Sequence, residues 1–368
     1  MKKHFYPVIV AGGRGTRFWP RSRARAAKQV LALEGRRTMI QQTVIRLESL
    51  APAKNFWVIT NGALRPAIAR QLPALAPRQI LAEPSGRNTA PAAGLAAFLL
   101  LRRDPEAVMG IFPADHMIGD EKNFRRAVQK AASLAAVGAN LVVMGIRPTR
   151  PETGYGYIET GRKSARGLLR VRRFTEKPGP QKAWRFLRSR KYLWNSGMFL
   201  WRAQTLAQAL HRHLPRTAAL LEEIAAAWGT RRFEGVFRRL YPRCQAISVD
   251  YAVLEPQSAL GESASGLVCL PADFGWNDLG SWAALYEHQV AARRADGARN
   301  VVDAAGRFTL DASGNYVFAP GKFVAALGVR DLVVVETPDA LLVTTRGRSQ
   351  DVSRVVQHLE QKKARRLL

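Results

Sequence analysis

Pro7-Val-Ile-Val-Ala11, Gly12-Gly13-Arg14-Gly15-Thr16-Arg17, Phe18-Trp19-Pro20 and Lys28-Gln29 follow one another near the start of a 368-residue chain. A short apolar run rich in branched residues reads as a buried strand. The glycines after it let the backbone turn sharply and approach a ligand with no Cβ in the way. Amides exposed in such a turn cradle phosphate. Two commoner glycine loops are excluded: a dinucleotide fingerprint needs a third glycine where Phe18 stands, and a Walker loop needs lysine where Thr16 stands. What remains is a turn carrying Arg14 and Arg17, with Lys28 further along, a set of cations suited to an extended polyphosphate. A tight turn with solvated arginines is the plain alternative.

The same residues, with Ser22-Arg23 between them, resemble the signature loop of the sugar-1-phosphate nucleotidyltransferases, in the form used by the mannose-1-phosphate guanylyltransferases. The resemblance implies a nucleotide held by Gly12, Gly13, Arg14, Gly15, Thr16 and Arg17, with Arg17 and Lys28 on the phosphates. One departure concerns rigidity only: the family usually has proline before the lysine, and here Ala27 stands there.

The length suffices for one large domain and a small one. No apolar run approaches the roughly 18 residues that span a bilayer. Met1-Lys2-Lys3 before an apolar run imitates a signal peptide, but Pro7 and the immediate glycine turn argue for a first strand. Two cysteines, Cys244 and Cys269, are too few for a disulfide framework, and both are expected reduced in a cytoplasmic protein. The net charge of +29 comes from 57 basic against 28 acidic residues. It raises a rival from another class, a basic polyanion-binding protein. The arginines are scattered rather than gathered into a tail or a stripe, which argues against a dedicated nucleic-acid or membrane face.

A βαβ rhythm follows the loop. Strands are expected at residues 56–60, 79–83, 107–112 and 140–145, and helices over residues 39–50, 90–102 and 123–137. The fold class is therefore α/β, an open, mixed and mostly parallel Rossmann-like sheet flanked by helices, with ligands at the carboxyl ends of the strands. Each polar motif falls at such an end. Glu83-Pro-Ser-Gly-Arg87-Asn88-Thr89 follows the third strand, and Asn88 or Thr89 would cap the next helix. By resemblance this is the base-recognition loop, with Glu83, Arg87 and Asn88. A carboxylate suits guanine, which presents an N1–H and an amino group as donors. Pro113-Ala114-Asp115-His116 matches the place where the family holds magnesium, a hard ion that prefers carboxylate oxygen.

Gly154-Tyr-Gly156, Phe174-Thr-Glu176-Lys177-Pro178 and Trp194-Asn195-Ser-Gly197 are similar to the family's sugar-phosphate pocket. The resemblance puts Glu176 and Asn195 on sugar hydroxyls, Lys177 on the sugar phosphate and a backbone contact at Gly156. Trp194, Phe199 and Trp201 read as core. Ser248-Val-Asp250-Tyr251 resembles a further sugar-side segment, although its spacing favours Asp250 as a helix N-cap. Phe274-Gly-Trp276-Asn277-Asp278-Leu-Gly280-Ser281-Trp282 resembles the family's second metal motif, which pairs Asp278 with Asp115; a cap for the helix near Ser281 is the plain alternative.

From Asn300 short strands crowd together without helices, a small β domain that by resemblance is a short left-handed β-helix. An amphipathic helix over residues 349–359 and a frayed basic tail over residues 361–366 close the chain. The division implied is a catalytic domain over residues 1–295 and the β-helix-like domain over residues 296–368. Some relatives continue into a phosphomannose isomerase domain; the chain ends at Leu368, so transferase activity alone is expected. The resemblance implies GTP and mannose 1-phosphate as substrates, with magnesium as the cofactor. Another nucleotide, or a heptose or glucose phosphate, is the alternative. Neither a specific nucleic acid nor a membrane partner is expected, and a homodimer is left open.

Overall fold

The computed structural model describes residues 2–163 and 167–368; Met1, part of the basic head weighed above, lies outside them. Contacts group the chain into two units. The first comprises the chain through Gly12 with Thr43–Ala114 and Ile118–Trp276, and the second Gly13–Gln42, Asp115–Met117 and Asn277–Leu368.

The strands run in chain order as β1 (Phe5–Ala11), β2 (Trp57–Asn61), β3 (Ile80–Glu83), β4 (Val108–Pro113), β5 (Met117–Ile118), β6 (Leu141–Ile146), β7 (Tyr157–Lys163) and β8 (Leu169–Thr175). They continue as β9 (Tyr192–Arg202), β10 (Leu267–Ala272) and β11 (Trp276–Asn277), then β12 (Val301–Leu310), β13 (Tyr316–Leu327), β14 (Leu332–Thr337) and β15 (Ala340–Thr345). In the first unit nine of them form one sheet in the order β3-β2-β1-β4-β9-β6-β10-β8-β7. β3, β2, β1 and β4 run parallel, as do β6 and β10, while β9 lies antiparallel to β4, β6 and β7. The sheet is thus mixed; its longest parallel run is the four strands β3-β2-β1-β4, whose branched runs and intervening helices were legible in sequence, and β6 with β10 adds a second parallel pair. Pro7 precedes Val8, the first residue paired with β2, and stands opposite Gly110 in the ladder with β4.

The helix Thr89–Arg103 is buried from Ala90 through Leu100, because helices Ala203–His213 and Pro215–Ala226 pack on it. Such all-round burial explains why its apolar residues show no single stripe. Trp201, Phe199 and Trp194 are core residues, and the rings of Phe199 and Trp201 stack 5.4 Å apart. Cys244 and Cys269 are buried free thiols. Among the described residues no helix is long and apolar enough to cross a membrane.

The second unit has its own core, in which Phe18, Trp19, Trp282 and Tyr316 meet the strands β12–β15. β12, β13 and β14 run parallel, β15 antiparallel. The tail is not frayed. Residues Arg365–Leu367 form a helical turn whose Leu367 carbonyl accepts from the Trp19 indole at 3.0 Å and from the Arg23 guanidinium. A basic composition predicts fraying only where nothing binds the backbone, and two largely buried donors bind it here.

Candidate functional site

The glycine turn is set by sterics at Gly15, which stands at φ 58° and ψ 32°, a left-handed conformation. A Cβ there would come within 2.8 Å of the Lys28 Cβ and 2.9 Å of the Ser22 hydroxyl. The turn then closes through Phe18 N–H to the Gly15 carbonyl at 2.9 Å, and Phe18 and Trp19 enter the core beside Trp282. Phe18 lies 4.9 Å from Trp282, whose indole donates to the Trp19 carbonyl at 3.1 Å. This packing explains in physical terms why the first motif and the motif ending at Trp282 belong together: the aromatic residues of each anchor the polar residues of the other.

Between these anchors Gly15, Thr16, Arg17, Lys28, Asp115, His116, Asp278 and Gly280 line one cavity of about 230 Å³. The Lys28 side chain is only 5% exposed and its ammonium stands 3.1 Å from Asp115 Oδ2. The ammonium also donates to the Asp278 carbonyl oxygen at 2.6 Å. Burial alone would raise the Asp115 carboxyl, but the Lys28 charge, with His116 beside it, outweighs burial and holds it below the usual carboxylate range. Arg17 donates to the Gly280 carbonyl at 3.0 Å. A Cβ on Gly280 would meet both Asp278 Oδ2 at 3.1 Å and the Arg17 guanidinium at 3.3 Å, so those two groups crowd the same glycine. Asp278 does not cap the following helix; Ser281 does, accepting from Ala284 N–H.

Arg14 stands apart from this cavity, exposed and paired with Glu360 of the C-terminal helix Val352–Gln361. Ala27 lies at φ −68° and ψ 164°, values that proline adopts. Ala27→Pro is expected to raise unfolding stability by about 0.4–1 kcal/mol through the unfolded chain, read by denaturant titration. A loss instead would show that the buried position has no room for the ring.

In the first unit the remaining predicted residues form two groups. Glu83, at the end of β3, is buried, and its Oε1 accepts from the Tyr241 hydroxyl at 2.5 Å. Burial pushes the Glu83 carboxyl up to about 7, in spite of hydrogen bonds from Tyr241 and the Arg87 backbone. A Cβ on Gly12 would lie 3.3 Å from Glu83 Oε2. Arg87 Nε is buried without a hydrogen-bond partner. Asn88 is the N-cap of helix Thr89–Arg103, accepting from Thr89 N–H at 2.8 Å, which is the structural role that its sequence position suggested.

The second group collects Gly156, Glu176, Lys177, Asn195 and Asp250. A Cβ on Gly156 would press on Glu176 Oε2 and stand 3.2 Å from the Asn195 Cβ, so glycine leaves the carboxylate its present place. Lys177 pairs with Glu176 Oε1 at 3.0 Å, while Glu176 Oε2 is buried with no hydrogen-bond partner. Asp250 is not the N-cap that its spacing favoured. It begins a π-helical turn, Asp250–Leu254, that has no side-chain cap, and its Oδ1 instead accepts from Asn195 Nδ2 at 2.8 Å. Burial and then the nearby Glu176 charge push the Asp250 carboxyl up to about 7. Val249, just before it, already has helical angles, φ −61° and ψ −27°, so Asp250 lies inside the helical run and its carboxylate meets the Asn195 amide, 55 residues away in sequence.

Sequence reading missed Tyr241, Gly280's steric role and the Arg14–Glu360 pair. Tyr241 follows an ordinary amphipathic helix, Phe233–Leu240, and carries no motif that would have found it.

Residues 6–294 match the family model described as nucleotidyl transferase, and residues 307–359 match the "MannoseP isomerase/GMP-like beta-helix domain". A mannose-1-phosphate guanylyltransferase of Escherichia coli strain K12 is 40% identical over 364 residues, 96% of this chain and 73% of that protein. A putative mannose-1-phosphate guanylyltransferase of Vibrio cholerae is 39% identical over 364 residues, 97% of this chain and 74% of that one. A solved structure from Thermus thermophilus, described as a "mannose-1-phosphate geranyltransferase", superposes with TM-score 0.85 at 33% identity, covering 98% of this chain and all of that one. The glycine turn, Asp115, Asp278 and the β-helix motif thus stand within a match that spans nearly the whole length, and the chain belongs to the nucleotidyl transferase family, on the branch of the mannose-1-phosphate guanylyltransferases.

Proposed function

We propose that the chain transfers GMP from GTP to mannose 1-phosphate, in the cytoplasm, giving GDP-mannose and pyrophosphate. The observation that carries this reading is the cavity in which Arg17, Lys28, Asp115 and Asp278 meet under the glycine turn. A sugar-phosphate oxygen is already a nucleophile, so in-line attack at the α-phosphorus needs no general base. The protein must align two polyanions that repel each other and balance the charge that builds on the pentacoordinate phosphorus. Arg17 and Lys28 suit that work because each is held before substrate arrives: Arg17 by the Gly280 carbonyl, Lys28 by Asp115 and the Asp278 carbonyl. A cation fixed in advance costs no reorganisation when charge develops.

Magnesium fits the donor set. No group of three or more His, Cys, Asp or Glu assembles among the described residues, but magnesium is commonly held by one or two carboxylates and completes its shell with phosphate and water oxygens. Asp115 and Asp278 would hold it, and it would supply charge neutralisation between phosphate oxygens. The sugar side is served by the orphaned Glu176 Oε2, an acceptor that lacks a donor and would take a hydroxyl, together with Asn195 and Asp250. Burial would lower the Lys177 ammonium, but the Glu176 contact outweighs it and raises the group above its ordinary value, so Lys177 stays cationic for the sugar phosphate.

Pyrophosphate release measured across the four common nucleoside triphosphates and mannose, glucose and heptose 1-phosphates tests the proposal. GTP with mannose 1-phosphate is expected to exceed every other pair in kcat/KM by at least roughly tenfold. A different best pair would overturn the substrate assignment while leaving the reaction class standing.

A further inference from the structure

Glu83 presents two chemically different oxygens. Oε1 is occupied by the hydroxyl of Tyr241, a side chain with no exposure that sits 158 residues away in sequence. Oε2 lies toward Gly12, whose missing Cβ would otherwise stand 3.3 Å from it. Arg87 donates its backbone N–H to the same carboxylate and carries a buried Nε with no partner. A carboxylate held at one oxygen has lost its freedom to rotate, and its second oxygen keeps one direction.

We infer that Tyr241 is the positioning residue for nucleobase selection: by holding Glu83 Oε1 it aims Oε2 at the space kept open by Gly12. With the unpartnered Arg87 Nε, that leaves an acceptor and a donor for a purine edge. Guanine offers donors at N1 and its 2-amino group and an acceptor at O6, which complements such a pair. Adenine reverses the pattern, with an acceptor at N1 and a donor at its 6-amino group, and would leave Glu83 facing a lone pair. An unsatisfied buried carboxylate is costly, so the arrangement discriminates mainly by rejecting adenine. The inference rests on the GTP-dependent reading above and names a residue that the reading did not need.

Tyr241→Phe removes one oxygen and keeps the ring that packs 5.1 Å from Phe237. It is expected to lower kcat/KM for GTP at least roughly tenfold, mostly through KM, the scale of a hydrogen bond to a charged group. kcat/KM for ATP should stay level or rise, so the GTP:ATP ratio collapses. The pH profile supplies a second readout. Glu83 Oε2 faces guanine without a competing proton only when the carboxyl is ionised, so kcat/KM for GTP rises with pH through the range near 7 to which burial lifts the carboxyl. The Tyr241 bond opposes that lift, so its loss moves the rising limb to higher pH. The other titratable groups around the pair, Arg87 and the Cys244 thiol, are unchanged in the variant.

An equal loss for GTP and ATP with an unmoved limb would mean that Tyr241 merely supports the fold, and overturns the inference. Glu83→Gln, with Tyr241 intact, is an independent check: the carboxamide sets a donor against guanine's donors, and the GTP:ATP ratio should again collapse. A ratio like that of the parent overturns the inference, whatever Tyr241→Phe does. A parent protein that ignores GTP would instead sink the underlying substrate reading, and this inference with it.

Discussion

Asp278→Ala is expected to turn over on the order of 10³-fold more slowly than the parent while unfolding at the same temperature, the scale of losing one preorganised charge-stabilising group. The choice of Asp278 over Asp115 follows from Lys28. The buried ammonium has two oxygen partners, Asp115 Oδ2 and the Asp278 backbone carbonyl, and alanine at 278 leaves both in place. Removing the Asp115 carboxylate would strip a buried cation of its counter-charge and mix a folding cost into the kinetic one. Steady-state pyrophosphate release beside a thermal melt separates the two effects. Near-normal turnover in Asp278→Ala would refute the metal assignment, since the cavity would then work with one carboxylate.

Gly15→Ala should lower kcat/KM for the nucleotide by on the order of 10²-fold, the penalty for moving reacting groups by about an ångström. The left-handed backbone at φ 58° already costs a side chain roughly 1–2 kcal/mol. The decisive effect is contact. The added methyl would press on Lys28 at Cβ, an atom that no rotamer change can move aside, and on the Ser22 hydroxyl that donates to the Arg14 carbonyl at 3.0 Å. The turn must therefore shift against Lys28, taking a cation of the cavity with it. Gly179→Ala is the matched control: its φ is −65° and nothing lies within 4 Å of an added Cβ. A Gly15→Ala variant with parental kinetics would show that the turn does not carry the triphosphate.

How much of this was legible beforehand follows from the range of each interaction. Strand β1, the glycine turn after it and the strands that pair beside it were readable because hydrophobic period and turn chemistry act over a few residues. The helix cap at Asn88 and the core placing of Trp201 follow from the same local rules. Resemblance pairs Asp115 with Asp278; the structure lines one cavity with both, beside the core where Phe18, Trp19 and Trp282 pack together.

By itself the sequence determined an α/β sheet beginning with a phosphate-type turn, because the residues that specify it lie next to one another in the chain. Tertiary structure alone decided that Asp250 answers Asn195 instead of capping a helix, that Tyr241 grips Glu83, and that the Leu367 carbonyl is bound by Trp19 and Arg23. Each of these joins residues 55 or more positions apart. A polar side chain has several partners of similar strength open to it in the unfolded chain, and which one it keeps is chosen by the burial of the apolar surface around it.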